Sequence, residues 1–400
     1  MKKILVLTNI YPALDMVEEN TPVVHYFTRE WVKMGYDVRV IYYRANFPRL
    51  MMFFFSLFKN RLSSRHGATL RTRYASEKEY ELDCVKVKRI PLLKIKPHRA
   101  FPKREIDKAC TITLDYLQEQ GFEPDAIISH WVNPQLEIMD RLKRKYGCTT
   151  CYVAHLPPIE FERIYTQEHS QGLIDNIDLI GFRSAYIREE FLGKFKFDRP
   201  TFQCYSGIPE KFVPQVPVRR SFDKVENYVF VGTLIKRKFP AEIIPALVKA
   251  YKDEPFGMTY IGSGFEATSI KKHAMELNVS RNVHLMGHIP REEVVRKLQE
   301  SDVFIMISKW EAFGLVYLEA MSQGLITIAS RHEGFDGIIE HGKNGFLCEA
   351  GNIGELADLV SEIRTMAPEK LQEISRNAMK TAKWLTDRNA AKMYIEEVLA

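Results

Sequence analysis

Val303-Phe304-Ile305-Met306-Ile307 runs into Ser308-Lys309-Trp310-Glu311-Ala312-Phe313-Gly314 and then Leu315-Val316-Tyr317-Leu318-Glu319-Ala320-Met321. An unbroken run of five apolar residues is short for a buried helix and fits a strand covered on both faces. Gly314 marks a turn, and the apolar spacing after it predicts a helix over Leu315–Gln323. Strand, loop and helix in this order form half of a parallel βαβ unit. The free N–H groups at the helix start, with the helix dipole, form a site for phosphate. Glu311 precedes the helix and Glu319 lies inside it. A carboxylate accepts two hydroxyls at once, which suits a sugar or the vicinal diol of a ribose. Without further context the same glutamates serve equally as a helix cap and a surface charge.

The alternation extends in both directions. Upstream it reads strand Ile4–Thr8, helix Pro22–Met34, strand Asp37–Tyr43, strand Ala126–His130, helix Pro134–Tyr146, strand Thr150–Ala154, strand Leu179–Phe182 and helix Ala185–Lys194. From Pro209 to Asp223 both signals fail among Pro209, Pro214 and Pro217. The pattern restarts with strand Tyr228–Val231 and continues through strands Met258–Ile261, Val283–Met286 and Ile326–Ala329, with helices between them. No sequence repeat relates the halves. A chain of 400 residues is too long for one core. An α/β fold follows, with two doubly wound Rossmann-like domains facing a cleft where strand C-termini bind ligands. The expected boundaries are 1–212 for the first domain, 213–226 for a linker and 227–380 for the second domain. Residues 381–400 are expected to form a helix packing back on the first domain.

Composition narrows the class. Hydrophobic residues at 46% and charged ones at 27% disfavour a disordered, collagenous or membrane-spanning chain. The longest apolar run, Leu50 to Phe58, contains Ser56 and falls far short of the roughly 20 residues that span a bilayer. Met1-Lys2-Lys3 followed by Ile4–Thr8 does not resemble a signal peptide, so a cytoplasmic protein is expected. Six cysteines are too few for a disulfide scaffold, and the Cys148/Cys151 pair has no second pair to complete a zinc site. Core packing is the expected role of that pair. Residues 44–104 hold 16 basic and 4 acidic residues, net +12, which exceeds the +6 of the whole chain.

Two glutamates with seven residues between them, enclosing Phe-Gly-Leu and followed by Ala-Met, resemble the signature of retaining group 1 glycosyltransferases, family 4, of GT-B architecture. Phe230-Val231-Gly232-Thr233-Leu234-Ile235-Lys236-Arg237-Lys238 resembles that family's first C-domain strand and basic loop. Ile261-Gly262-Ser263-Gly264 resembles its next glycine turn, and Glu340-His341-Gly342-Lys343-Asn344-Gly345-Phe346-Leu347 the segment ending its nucleotide pocket. Cys204-Tyr205-Ser206-Gly207-Ile208-Pro209 sits where the family closes its N-domain.

The resemblance implies transfer of a sugar, with retention, from a UDP-, GDP- or ADP-sugar to a saccharide or lipid-linked acceptor, as in polysaccharide or glycolipid synthesis. Lys238 would contact the donor diphosphate, Glu311 the transferred sugar and Glu319 the ribose. Gly232, Thr233, Arg237 and Gly262 would border the donor, with backbone N–H groups around Phe313, Gly314 and Leu315. His155, ending a strand, aligns with the family histidine beside the reacting sugar, where a neutral or protonated imidazole donates to sugar or phosphate. His130, also at a strand end, is the weaker candidate. The family's usual arginine after the first glycine is Thr233 here, leaving Arg237 or Lys236 to supply the charge. The first loop, Glu18-Glu19-Asn20-Thr21-Pro22, has no glycine. Glu333-Gly334-Phe335-Asp336-Gly337 stands where Gly-Gly-x-Pro-Glu is usual.

No Asp-x-Asp occurs, so transfer is expected to need neither metal nor other cofactor. Phe53-Phe54-Phe55-Ser56-Leu57-Phe58 between Arg49 and Lys59, with Lys86-Val87-Lys88-Arg89 and Lys94-Ile95-Lys96, suggests peripheral contact with an anionic membrane at the inner face of the plasma membrane. A buried helix and the wet face of a strand are the alternative for those segments. Nothing resembles a nucleic-acid motif. Other functional readings are a different GT-B enzyme, such as a sugar-nucleotide epimerase or a phosphorylase, and a non-catalytic sugar-nucleotide binder.

Overall fold

A computed structural model describes residues 1–16, 21–52, 74–97, 99–215 and 220–400. Glu18, Glu19 and Asn20 of the first loop, the Phe53–Phe58 cluster with Lys59, and Pro217 of the expected linker lie outside these residues. The chain is α/β and divides into two compact units, Met1–Tyr205 with Asp387–Ala400, and Ser206–Thr386.

The first unit is built on β1 (Lys3–Thr8), β2 (Asp37–Asn46), β3 (Lys78–Leu82), β4 (Val85–Leu93), β5 (Ala126–His130), β6 (Thr149–Ala154), β7 (Leu179–Phe182) and β8 (Thr201–Gln203). They lie in the order β3-β4-β2-β1-β5-β6-β7-β8, parallel except for the antiparallel β3–β4 pair. On β1, Leu5 and Leu7 enter one core and Ile4 and Val6 the other, so both faces are covered. That explains a continuous apolar run where a half-wet strand would alternate. Helix α1 (Val23–Lys33) covers one face and α2 (Lys103–Glu119) the other. Helices α3 (Gln135–Tyr146), α4 (Ile159–Ile164), α5 (Gln167–Ile174) and α6 (Ala185–Lys194) complete this part of the chain. Cys148 and Cys151 belong to cores on opposite faces and form no chelating pair.

The β3–β4 hairpin turns through Asp83 (φ +48°) and Cys84 (φ +62°), the doubly left-handed geometry of a two-residue hairpin loop. Val85 and Val87 point into the core while Lys86 faces out, so Lys86-Val87-Lys88-Arg89 is an alternating strand. Lys88 pairs with Glu77 (2.7 Å) and Glu79 (3.1 Å), and Arg89 is fully buried in a bidentate bond to Asp15 (2.9 and 2.8 Å). These two cations are committed within the fold. Leu93 and Ile95 are exposed just beyond.

The second unit holds β9 (Asn227–Val231), β10 (Gly257–Ile261), β11 (Val283–Leu285), β12 (Val303–Ile305), β13 (Ile326–Ser330) and β14 (Phe346–Cys348). Their order is β11-β10-β9-β12-β13-β14, all parallel. Its helices are α7 (Ile243–Tyr251), α8 (Glu266–Glu276), α9 (Arg291–Gln299), α10 (Leu315–Ser322), α11 (Ile353–Thr365) and α12 (Pro368–Trp384). Strand order reverses between β9 and β12, and ligands of such sheets bind outside the strand C-termini at that reversal.

Both ends of this unit differ from the expected boundaries of 212, 213–226 and 380. The carbonyl of Phe212 accepts from Gln323 Nε2 (2.9 Å), and Ile208 bridges to Thr386, so residues 206–212 are tied to the second sheet. Arg220 donates to the carbonyls of Gln323 (2.8 Å), Leu298 (2.9 Å) and Ser301, capping the ends of α9 and α10. A linker would make no such bonds. At the other end, α12 runs unbroken through residue 380 to Trp384.

Helix α13 (Asp387–Leu399) belongs to the first unit. Trp31 Nε1 donates to the carbonyl of Ala391 (2.8 Å), Arg29 pairs with buried Asp387 (3.0 Å), and Tyr394 meets Phe27 and Trp31 edge-on at 5.1 Å. Burying Tyr394, Ile395 and Val398 contributes about 1.5–3 kcal/mol each, a sum comparable with a domain's whole stability. Removing residues 387–400 should therefore leave 1–205 open to limited proteolysis while 206–386 stays resistant. Equal resistance of both units would contradict this.

Candidate active site

Beyond β9 the chain turns through Gly232 and Thr233 into a short 3-10 turn, Lys236–Lys238. The turn sorts its three cations. Lys236 points outward and pairs with Glu242 (2.8 Å). Arg237 Nη1 lies across the next loop, 3.3 Å from the carbonyl of Lys309 and 3.4 Å from that of Trp310. Lys238 turns inward, with its Nζ 3.6 Å from Met306 Sδ. Arg237 and Lys238 converge on one oxygen of Glu311, at 3.6 and 3.5 Å. That Oε2 is buried and makes no hydrogen bond among the described residues. Arg237 thus supplies the second charge beside Thr233, and Lys236 does not. Two cations thus face one carboxylate oxygen where β9 and β12 end.

Gly262 has φ +133°, and a Cβ there would land on the carbonyl oxygen of Gly232. Gly232 N–H donates to Ile261 (2.9 Å) and Gly262 N–H to Gly287 (2.7 Å), so the loops after β9, β10 and β11 are laced backbone to backbone. The glycine at 262 is required by this lacing whether or not a ligand is bound.

Gly314, at φ +82°, opens α10. Within its first turn Tyr317 N–H donates back to the carbonyl of Gly314 (3.0 Å), while the N–H groups of Leu315 and Val316 have no intrahelical acceptor. Phe313 is buried edge-on against Phe335 (centroids 5.6 Å apart), so its ring packs the core and only its backbone is offered at the turn. Glu319, on α10, is paired with Arg291 at the start of α9, and Arg291 lies over the ring of Phe212 at 4.2 Å. Burial raises the pKa of Glu319, and Arg291 opposes that. Sequence reading did not single out Arg291 or Phe212; a Pro-Arg pair opening a helix carries no signal of its partner 28 residues away.

His155 lies in the first unit, at the end of β6. Its Nε2 is 2.8 Å from Nδ1 of His130, and Trp131 stacks on it at 4.3 Å. His130 Nε2 faces the hydroxyl of Tyr394 at 3.4 Å. Burial, then Arg183, pulls His130 down to about 3; burial, His130 and Arg183 push His155 well below its ordinary value. Both imidazoles are therefore held toward the neutral form near pH 7. His130, rated lower from sequence, is its direct partner. Among the site residues expected from sequence, Gly232, Thr233, Arg237, Lys238, Gly262, Glu311, Phe313, Gly314, Leu315 and Glu319 all lie in the second unit, on or after its strands.

Residues 215–381 match the family model described as glycosyl transferases group 1. N-acetyl-alpha-D-glucosaminyl L-malate synthase of Bacillus anthracis is 29% identical over 149 residues, 37% of this chain and 37% of that protein. Alpha-monoglucosyldiacylglycerol synthase of Acholeplasma laidlawii is 30% identical over 151 residues, 38% of this chain and 37% of that protein. The chain thus spans under two fifths of the length of these relatives. Sucrose-phosphate synthase from Thermosynechococcus elongatus superimposes with a TM-score of 0.69 at 16% identity, covering 100% of this chain and 98% of that one. The match to the group 1 glycosyl transferase model thus falls within the second unit, in a chain whose two parallel-sheet units have the GT-B fold.

Proposed function

We propose that the protein transfers a sugar, with retention of configuration, from a nucleotide-diphospho-sugar to a saccharide or lipid-linked acceptor, without a metal ion or other cofactor. The observation that carries this reading is the convergence of Arg237 and Lys238 on Glu311 beside the first turn of α10. The two cations bind the donor diphosphate, and their charge, with the α10 N–H groups, stabilises the diphosphate as it leaves. Glu311 accepts hydroxyls of the transferred sugar. Glu319, held by Arg291, accepts the ribose diol through its remaining lone pairs. His155, neutral, is the first unit's hydrogen-bonding group for sugar or leaving phosphate. With no carboxylate assigned as nucleophile, retention proceeds by front-face attack with the donor phosphate as base. The relatives' names, which are those of synthases, lend no support to an epimerase, a phosphorylase or a non-catalytic binder.

A lipid-linked acceptor is the more specific form of this reading. The diacylglycerol in one relative's name supports it, as do Leu93 and Ile95, exposed beside Lys94 and Lys96. Peripheral contact with the inner face of the plasma membrane follows from it. Among the described residues no helix is long and apolar enough to cross a membrane.

Thermal-shift screening of UDP-, GDP- and ADP-sugars should identify one class of donor. A ligand at 100 times its dissociation constant adds about 2.7 kcal/mol of stability. Glu319→Ala should then weaken nucleotide binding, Glu311→Ala should lower turnover and weaken sugar-nucleotide binding relative to that of the nucleoside diphosphate, and Lys238→Ala should cost diphosphate affinity in a salt-sensitive way. Unchanged nucleotide affinity in Glu319→Ala, by calorimetry, removes Glu319 from the pocket. Turnover should be the same in EDTA as without it; loss restored by Mg²⁺ or Mn²⁺ would show a metal requirement. Sedimentation with anionic vesicles at low salt should fall on replacing Ile95 by Ser and Lys96 by Glu, and should be slight with neutral vesicles. Failure to bind anionic vesicles would remove the membrane contact and leave the transferase reading standing.

A further inference from the structure

Glu333 stands where the resembled family has glycine, and it is a buried carboxylate, 8% exposed. Burying a charge costs several kcal/mol unless hydrogen bonds replace its water. Here they do. Its Oε2 accepts the backbone N–H of Glu311 at 2.9 Å, and the neighbouring N–H of Trp310 also faces this carboxylate and favours its charged form. Burial raises the pKa of Glu333, and these two N–H groups oppose that.

The backbone it holds is strained. Trp310 has φ +56°, a left-handed conformation that costs a non-glycine residue about 1 kcal/mol or more, while its indole stays 66% exposed. An exposed ring gives no packing in return, so the conformation must be imposed from below. Two successive N–H groups next to a left-handed residue form a concavity for an anion. In this protein the anion is the side chain of Glu333. Gly334 lets the loop after β13 come close enough, because a Cβ there would strike the carbonyl of Glu311 and the N–H of Phe313. The same loop bears Phe335, which packs on Phe313 and stacks on Tyr317 at 4.7 Å.

We propose that Glu333 is a positioning residue: by holding the N–H of Glu311, next to left-handed Trp310, it fixes the backbone from which the Glu311 carboxylate reaches Arg237 and Lys238. Without it, Trp310 relaxes to a right-handed conformation and Glu311 loses its register with the two cations. The proposal rests on the donor-site reading above.

The test measures two affinities for each variant by calorimetry, one for a sugar nucleotide and one for the matching nucleoside diphosphate. UDP-glucose with UDP, GDP-mannose with GDP, and ADP-glucose with ADP are the probes. The ratio of the two affinities isolates the sugar contact. Glu333→Ala should shift that ratio by about tenfold, in the same direction as Glu311→Ala. The double variant should shift it no further than Glu311→Ala alone. Glu333→Gln keeps one acceptor oxygen and should fall between wild type and Glu333→Ala. If Glu333→Ala does not fold, Glu333→Gln carries the test: its shift should be present alone and absent in the Glu311→Ala background. A wild-type ratio in the Glu333 variants, or an effect fully additive with Glu311→Ala, overturns the proposal. A wild type that binds none of the three sugar nucleotides overturns the donor reading itself, and the positioning role with it.

Discussion

One buried carboxylate oxygen of Glu311, 3.5 Å from Lys238 and 3.6 Å from Arg237, ties together the loops after β9 and β12. These strands are neighbours where the second sheet reverses its order, so the contact lies where parallel sheets bind ligands. The remaining features of the site are arranged around it. Gly262 lets the loop after β10 lie against the β9 turn, and Gly314 starts α10 beside Glu311. Glu333 supports the backbone beneath. The two cations lie next to the positive end of a helix, a combination suited to a diphosphate.

The first unit is organised differently. Its sheet is covered by α1 and the returning helix α13, and Tyr394 from that helix reaches the strand-end histidine His130. His130 and His155 are buried together among aromatic rings and are held toward the neutral form. Their contribution to stability is present above the ordinary histidine pKa and is lost as pH falls, because unfolding lets both take up protons. Acid therefore works against this unit at these two histidines.

Much of this was legible in the sequence, and the rest was hidden for physical reasons. Strands Ala126–His130 and Leu179–Phe182 have the bounds read from sequence, because strands buried on both faces show as continuous apolar runs. The Lys86–Arg89 stretch was harder to read. Its alternation belongs to a strand, but Arg89 is buried by an ion pair to Asp15, a partner 74 residues away. Prolines between 209 and 217 mimic a linker and put the expected end of the first domain at 212. What decides it is side-chain bonding from Gln323 to Phe212, together with the three carbonyls held by Arg220. At the candidate site, motif spacing singles out Glu311, Glu319 and Lys238 as candidates, and the fold puts all three after strands of the second unit. Spacing could not show that Arg291 holds Glu319, that Arg237 rather than Lys236 faces Glu311, or that Glu333 replaces glycine in order to hold a loop. Each of those depends on a tertiary contact.

Hydrogen–deuterium exchange, with and without the sugar nucleotide that wild type binds, tests the central claim most directly. Exchange should slow at residues 232–239 and 310–316, the loops that meet at Glu311, and the effect should vanish in Lys238→Ala at the same ligand concentration. Slowing confined to the first unit, or unchanged exchange in both loops at saturating ligand, would contradict a donor site built on Lys238, Arg237 and Glu311.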